Sequence, residues 1–344
     1  MPDTSAACAW TREQLNARLV RYADLVPCTT AFVDTRTPGS EAKENFTIIG
    51  PGVSENPDQH VHIDIPHGFN IGGARQPPKC VNSQHSHETA EVFVVHSGRW
   101  AFYLGENAET AEVILEPGDV VSIPIHVFRG FENVGDDVGF LFAVLGEDDP
   151  GRVTWAPYVF EAAKRNGLVL LEDGSLVDLT RSETVPEGAA VMPPTTAEDV
   201  ARLRQMDTAA LRGCVVSGTE FQPAEQSMLT AADVAEVPVI GTARSDGMGA
   251  GKLDWSHGFQ LRKVVLQPGS ETMLHARPQE EVLFTHRGSL SLTVGGVDFE
   301  LGPGDVMTIP VDLPRQFRNS ARQTCELYAV DGGDNPAGDR LAAT

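Results

Sequence analysis

The chain has 344 residues, 41% hydrophobic and 22% charged, enough apolar material for two cores at about 150 residues per domain, and that excludes a disordered chain. Its 26 Lys and Arg face 48 Asp and Glu, a formal net charge of −22. Phosphate backbones and anionic membranes are bound through clustered cations, so neither nucleic acid nor a membrane surface is an expected partner.

In chain order, Thr11 and Gln14 form a capping box that predicts a helix over 12–24. Glu91–His96, Trp100–Leu104, Ala111–Leu115 and Val120–Ile123 are short β-branched and aromatic runs set between Gly, Pro, Asn and Asp. Short strands at this spacing predict an antiparallel sandwich or barrel. Ala156 to Asn166 reads as a helix stopped by Gly167. Leu168–Leu171, Asp173-Gly174 and Leu176-Val177 read as a hairpin. Residues 181–196 are a Pro-rich linker, and Thr195 with Glu198 caps a helix over about 197–206. No apolar run reaches the roughly 18 residues of a membrane helix. Residues 1–10 show no secretory signal. Cys8, Cys28, Cys80, Cys214 and Cys325 form no CxxC pair, so unpaired thiols in a reducing cytoplasm are expected.

The chain repeats itself. His67-Gly68-Phe69 recurs as His257-Gly258-Phe259, and His85, Glu91, His96 and Gly98 recur at the same spacing as His275, Glu281, His286 and Gly288. Pro117-Gly118-Asp119-Val120, Pro124, Arg129, Phe131 and Asn133 recur, four residues closer, as Pro303-Gly304-Asp305-Val306, Pro310, Arg315, Phe317 and Asn319. The expected organisation is an N-terminal helical segment (1–39), a first β module (40–150), a linker with helices and a hairpin (151–234) and a second β module (235–344).

His85, His87 and Glu91 share one parity, so on an extended strand they face one side. Two imidazoles and a carboxylate converging in a barrel make a site for a divalent metal. These residues carry a resemblance to the cupin superfamily. Its first motif runs Gly, His-x-His, Glu, Gly, and its second Gly, Pro-x-Gly, His, Asn. The first copy matches at His85, His87, Glu91, Gly98, Gly118, Pro124 and Asn133, with Lys79 for the leading Gly, His126 for the Gly of Pro-x-Gly, and Arg129 for the last His. The second copy matches at Gly269, His275, Glu281, Gly288, Gly304, Pro310 and Asn319, with Arg277 and Arg315 in place of two ligands. The resemblance implies an all-β bicupin, two jelly-roll barrels in tandem with a helix-containing linker.

Charge separates the two sites. His275, Arg277, Glu281 and Arg315 sum to +1 with no ion, so the second site reads as degenerate, with Glu281 paired to an Arg. His85, His87, Glu91 and Arg129 sum to zero and become about +2 with a metal, a receptor for an anionic substrate with Arg129 as its carboxylate fork or, alternatively, as the structural partner of Glu91. His126, His96 and His286 have the wrong parity for ligands. His67 and His257 read as turn residues, His60 and His62 as plain strand, and Cys80 as packed. There is no G-x-S-x-G elbow and no phosphate loop.

Resemblance to ring-cleaving and quercetinase-like bicupins implies a dioxygenase-type oxidoreductase for a small anionic or phenolic compound, using Fe(II), with Mn, Ni or Zn as other ions. The alternatives are an isomerase or lyase on the same site, or a metal-free binder of a small carboxylic acid. A homo-oligomer is left open.

Overall fold

The computed structural model describes residues 10–220, 222–224 and 226–342; Cys8 lies outside them. Residues 26–220 form one compact unit, and the described residues up to Leu25 join the described ones from 222 onward in the other. Among the described residues no helix is long and apolar enough to cross a membrane. The fold is all-β with two tandem barrels and few helices.

The chain enters through a short arm, α1 (Arg12–Asn16) and β1 (Leu19–Val20). The first barrel then uses β2 (Glu44–Ile49), β3 (Val61–Ile63), β4 (Phe69–Gln76), β5 (Val81–Ser86), β6 (Glu91–Ser97), β7 (Trp100–Leu104), β8 (Ala111–Leu115), β9 (Val120–Ile123), β10 (Arg129–Asn133), β11 (Gly139–Gly146) and β12 (Thr154–Trp155). After it come α2 (Pro157–Arg165), the hairpin β13 (Leu168–Leu170) and β14 (Leu176–Asp178), α3 (Ala197–Arg202), α4 (Thr208–Arg212) and β15 (Val215–Val216). One sheet runs β15-β9-β6-β11-β4-β2-β3 and the other β12-β5-β10-β7-β8. Phe93, Val95, Phe102, Val121, Phe131 and Leu141 from both sheets fill the core between them. Complete burial of such side chains stabilises by roughly 1.5–3 kcal/mol each.

The second barrel repeats this with β16 (Val234–Ile240), β17 (Phe259–Leu266), β18 (His275–Ala276), β19 (Glu281–Arg287), β20 (Leu290–Val294), β21 (Val297–Leu301), β22 (Val306–Ile309), β23 (Arg315–Arg318), β24 (Cys325–Gly332) and β25 (Arg340–Leu341). Its sheets run β1-β22-β19-β24-β17-β16 and β21-β20-β23-β18-β25. The correspondence extends to both arms. α1 puts Leu15 into the second core and α4 puts Leu211 into the first, each fully buried. Val20 pairs with Val306 and Val216 with Val120. Each barrel is therefore completed by the arm that precedes the other barrel in sequence.

Two helices are shorter than their sequence suggests. The Thr11 capping box is present, but α1 ends at Asn16. Leu19 and Val20 take the open edge of β22, where pairing outweighs helix propensity. The later cap falls one residue on: the Thr196 hydroxyl accepts from Asp199 N–H at 3.2 Å, while the Thr195 hydroxyl donates to Trp155 O at 2.7 Å. The His-Gly-Phe repeats are turns. Asp148 Oδ1 accepts from the His67 and Gly68 amides, and Asp334 Oδ1 from those of His257 and Gly258. Gly68 and Gly258 sit at φ 78° and 77°, where a side chain would be strained.

Candidate metal centre

β5 and the turn after it carry His85 and His87, and β6 opens with Glu91. One ligand atom from each lies within 4.8 Å of the other two, and all three residues are buried. His87 Nε2 is 3.4 Å from Glu91 Oε1. His85 donates its Nδ1 proton to Ser83 O at 2.8 Å, which leaves Nε2 with its lone pair. Trp155 on β12 sets its ring 5.3 Å from that of His85. A bulge in β5 opposite Gly130 also turns Asn82 to this side.

Burial, reinforced by the Arg129 charge, pushes His85 down to about 3 and His87 well below its ordinary value. Burial pushes Glu91 up to about 7 against the pull of Arg129. Both imidazoles are thus neutral and able to coordinate. Inside the cluster, His87 Nδ1, Glu91 Oε2, and Arg129 Nε and Nη1 are buried with no hydrogen-bond partner. Two neutral imidazole nitrogens and an unsatisfied carboxylate oxygen fit a divalent cation.

The metal-free fold prefers the protonated carboxyl, so Glu91 weakens that fold as pH rises from about 4.5 to about 7. A bound cation reverses this. Added divalent metal is expected to raise the melting temperature more at pH 8 than at pH 5.5, as thermal-shift curves with and without ion will show. Equal shifts at both pH values would rule out Glu91 as a ligand.

Arg129 is fully buried behind Glu91. Its Nε lies 3.4 Å from Glu91 Oε2, and its Nη2 donates to Ile123 O at 3.2 Å. The guanidinium is not among the groups lining the cavity beside the ligands. Its contacts are with Glu91 and the Ile123 carbonyl. His126 is exposed at φ 59°, while its amide and carbonyl tie the loop to His87 O and Arg204 N. His96 and His286 pack edge-on against Phe140 and Tyr328, away from the cluster. His62 Nδ1 lies 2.8 Å from Thr47 O on the neighbouring strand.

The cavity has a volume of about 80 Å³, with Phe46, Gly72, Phe93, Leu145, Val153 and Trp155 in its walls. At roughly 10–15 Å³ per water it holds only a small ligand. Through Gly52, Val53, Ser54 and Val153 it meets an outer hollow of about 430 Å³ bearing Glu88, Asp149, Asp173 and Arg152.

The second barrel brings His275, Arg277, Glu281 and Arg315 together in a much larger ionic cluster. Arg262 bonds Glu236 and Glu281, and its Nε is 3.0 Å from Asp331 Oδ2. Arg277 reaches Asp331 at 3.4 Å and Asp339 at 3.3 Å, and Arg315 reaches Glu281 at 3.1 Å. Although burial opposes it, Arg277 and Arg262 hold Asp331 and Asp339 below the usual carboxylate range. Burial pushes His275 down to about 4. Sequence reasoning found the Glu281–Arg pairing but missed Glu236, Arg262, Asp331 and Asp339. With them the expected +1 becomes −1, three guanidiniums against four carboxylates.

The Cupin_2 family model, described as a cupin domain, matches residues 74–145 and 262–331. No curated protein matches the chain in sequence. A Lactobacillus farciminis oxalate decarboxylase in a formate complex is 15% identical, covers 94% of this chain and 88% of its own, and superposes with a TM-score of 0.56. A tryptophan-to-phenylalanine variant of the Bacillus subtilis oxalate decarboxylase is 13% identical over 94% and 79%, also with a TM-score of 0.56.

Proposed function

We propose that this chain, a bicupin of the cupin superfamily, is a metal-dependent enzyme of the lyase or isomerase type whose reaction centre is His85, His87 and Glu91. The convergence of three buried donors on one cavity carries this reading. A divalent ion held there supplies Lewis-acid polarisation of a substrate oxygen. The chain's own groups do the rest. Ser83 fixes the His85 tautomer, Arg129 orients Glu91, and the apolar walls exclude water. Structural likeness to oxalate decarboxylases favours carbon–carbon cleavage without net oxidation over the dioxygenase reading. The ion itself is chosen among Mn, Fe(II), Ni and Zn by experiment.

The test is elemental analysis of the purified protein beside His85→Ala, followed by turnover with and without O₂. Near-stoichiometric metal lost in the variant, and turnover that persists under anoxia, support the proposal. A strict O₂ requirement with Fe restores the dioxygenase. No metal after anaerobic reconstitution makes the chain a metal-free binder.

A further inference from the structure

We infer that the first barrel selects a substrate with one oxygen-donor head and an uncharged apolar body, and that Gly72 is the residue that decides it; the head's placement rests on the metal-centre reading above. The two barrels differ at matching positions. Strand register matches Asn45 with Glu236, Gly72 with Arg262, and Leu145 with Asp331. It likewise matches Val153 with Asp339, since the next residues, Thr154 and Arg340, both pair beside the aligned histidines. Where the second barrel fills its interior with four charges, the first has a glycine, two aliphatic side chains and one amide.

At Gly72 no positive φ requires glycine, and a Cβ there would meet a single atom, the backbone Phe46 O, in a tight contact at 3.3 Å that a small shift must relieve. Its neighbour Gly73 differs, since a Cβ would come within 2.5 Å of the Phe140 ring. What Gly72 maintains is space at the spot from which Arg262 fills the other barrel. Among the described residues the cavity wall contains no Lys or Arg. A second carboxylate on a substrate would therefore be desolvated without a partner, which is costly. Asn45 Nδ2 is buried on this wall with no hydrogen-bond partner, one donor for a neutral acceptor on the substrate body. The outer hollow, with Glu88, Asp149 and Asp173 against Arg152, adds repulsion toward dianions.

The experiment titrates Zn(II)-loaded wild type, Gly72→Leu and Gly72→Ala with benzoate and with oxalate by calorimetry, and repeats the series on metal-free protein with 4-methylphenol. Wild type is expected to bind benzoate at least tenfold tighter than oxalate. Gly72→Leu should lose benzoate and 4-methylphenol by more than tenfold, Gly72→Ala by less, with bound zinc unchanged in both. Oxalate binding as tightly as benzoate, or Gly72→Leu leaving 4-methylphenol unaffected, would overturn the inference. Failure to load zinc with 4-methylphenol still bound in wild type and lost in Gly72→Leu would retain the pocket assignment and reject the metal centre alone.

Discussion

His87→Ala is expected to leave the first barrel folded and strip it of its divalent ion, whereas Arg277→Lys, at the matching position of the second barrel, leaves metal content unchanged. His87 supplies one of three donors that converge among the described residues. With it gone, His85 and Glu91 remain, and Glu91 already faces Arg129 at 3.4 Å. The nearest cation then competes with the ion for the last carboxylate. Outer-sphere changes around metals cost about 10–100-fold in affinity; removal of a direct ligand from a three-donor set should exceed that. Elemental analysis of both variants, with far-ultraviolet circular dichroism to confirm folding, reads the result. Stoichiometric ion in folded His87→Ala would defeat the assignment.

Arg262→Met should be the most damaging single change in the second barrel. Arg262 touches Glu236, Glu281 and Asp331, all buried. Its loss leaves four carboxylates facing Arg277 and Arg315. Breaking a buried ion pair by removing one partner costs about 3–5 kcal/mol, and at about 2–4 °C per kcal/mol for a unit of this size the melting temperature should fall by on the order of 10 °C. Acid should narrow the gap. Asp331 and Asp339 are held below the ordinary carboxylate range, so the stability they give wild type is present above about pH 4 and fades as pH falls through their native values. The variant has less of it to lose. An unchanged melting temperature at pH 7 would show that the cluster relaxes without strain.

The strands were legible because alternation and turn residues agree: the runs read at 91, 100, 111 and 120 all begin strands. The ligand set was legible from the His-x-His and Glu spacing, although His87 and Glu91 lie past the end of β5 and the turn there, not one strand's parity, brings them beside His85. Asn82 was hidden by the β5 bulge, which breaks that parity. The ionic cluster was hidden for a different reason. A search for repeated residues passes over Glu236, Arg262, Asp331 and Asp339, whose counterparts are Asn45, Gly72, Leu145 and Val153. The signal was the mismatch itself, such as a lone Arg inside Phe-Gln-Leu-Arg-Lys-Val-Val-Leu of β17. The arms share only a cap, a buried leucine and two strand residues, and nothing local says which barrel each will join.

That exchange of arms sets an order of events during synthesis. The first barrel closes its β9 edge once residues 215–216 emerge, so it can finish early. The arm carrying Leu15 and Val20 is made before it, yet its partner edge at Val306 is translated only after the whole first barrel. Joining ends so far apart adds little to the closure entropy, which grows only with the logarithm of the intervening length. Its kinetic cost is larger. Until β22 is made the nascent chain carries an unpaired strand, and when β22 does appear its edge is open to any passing strand until that arm docks.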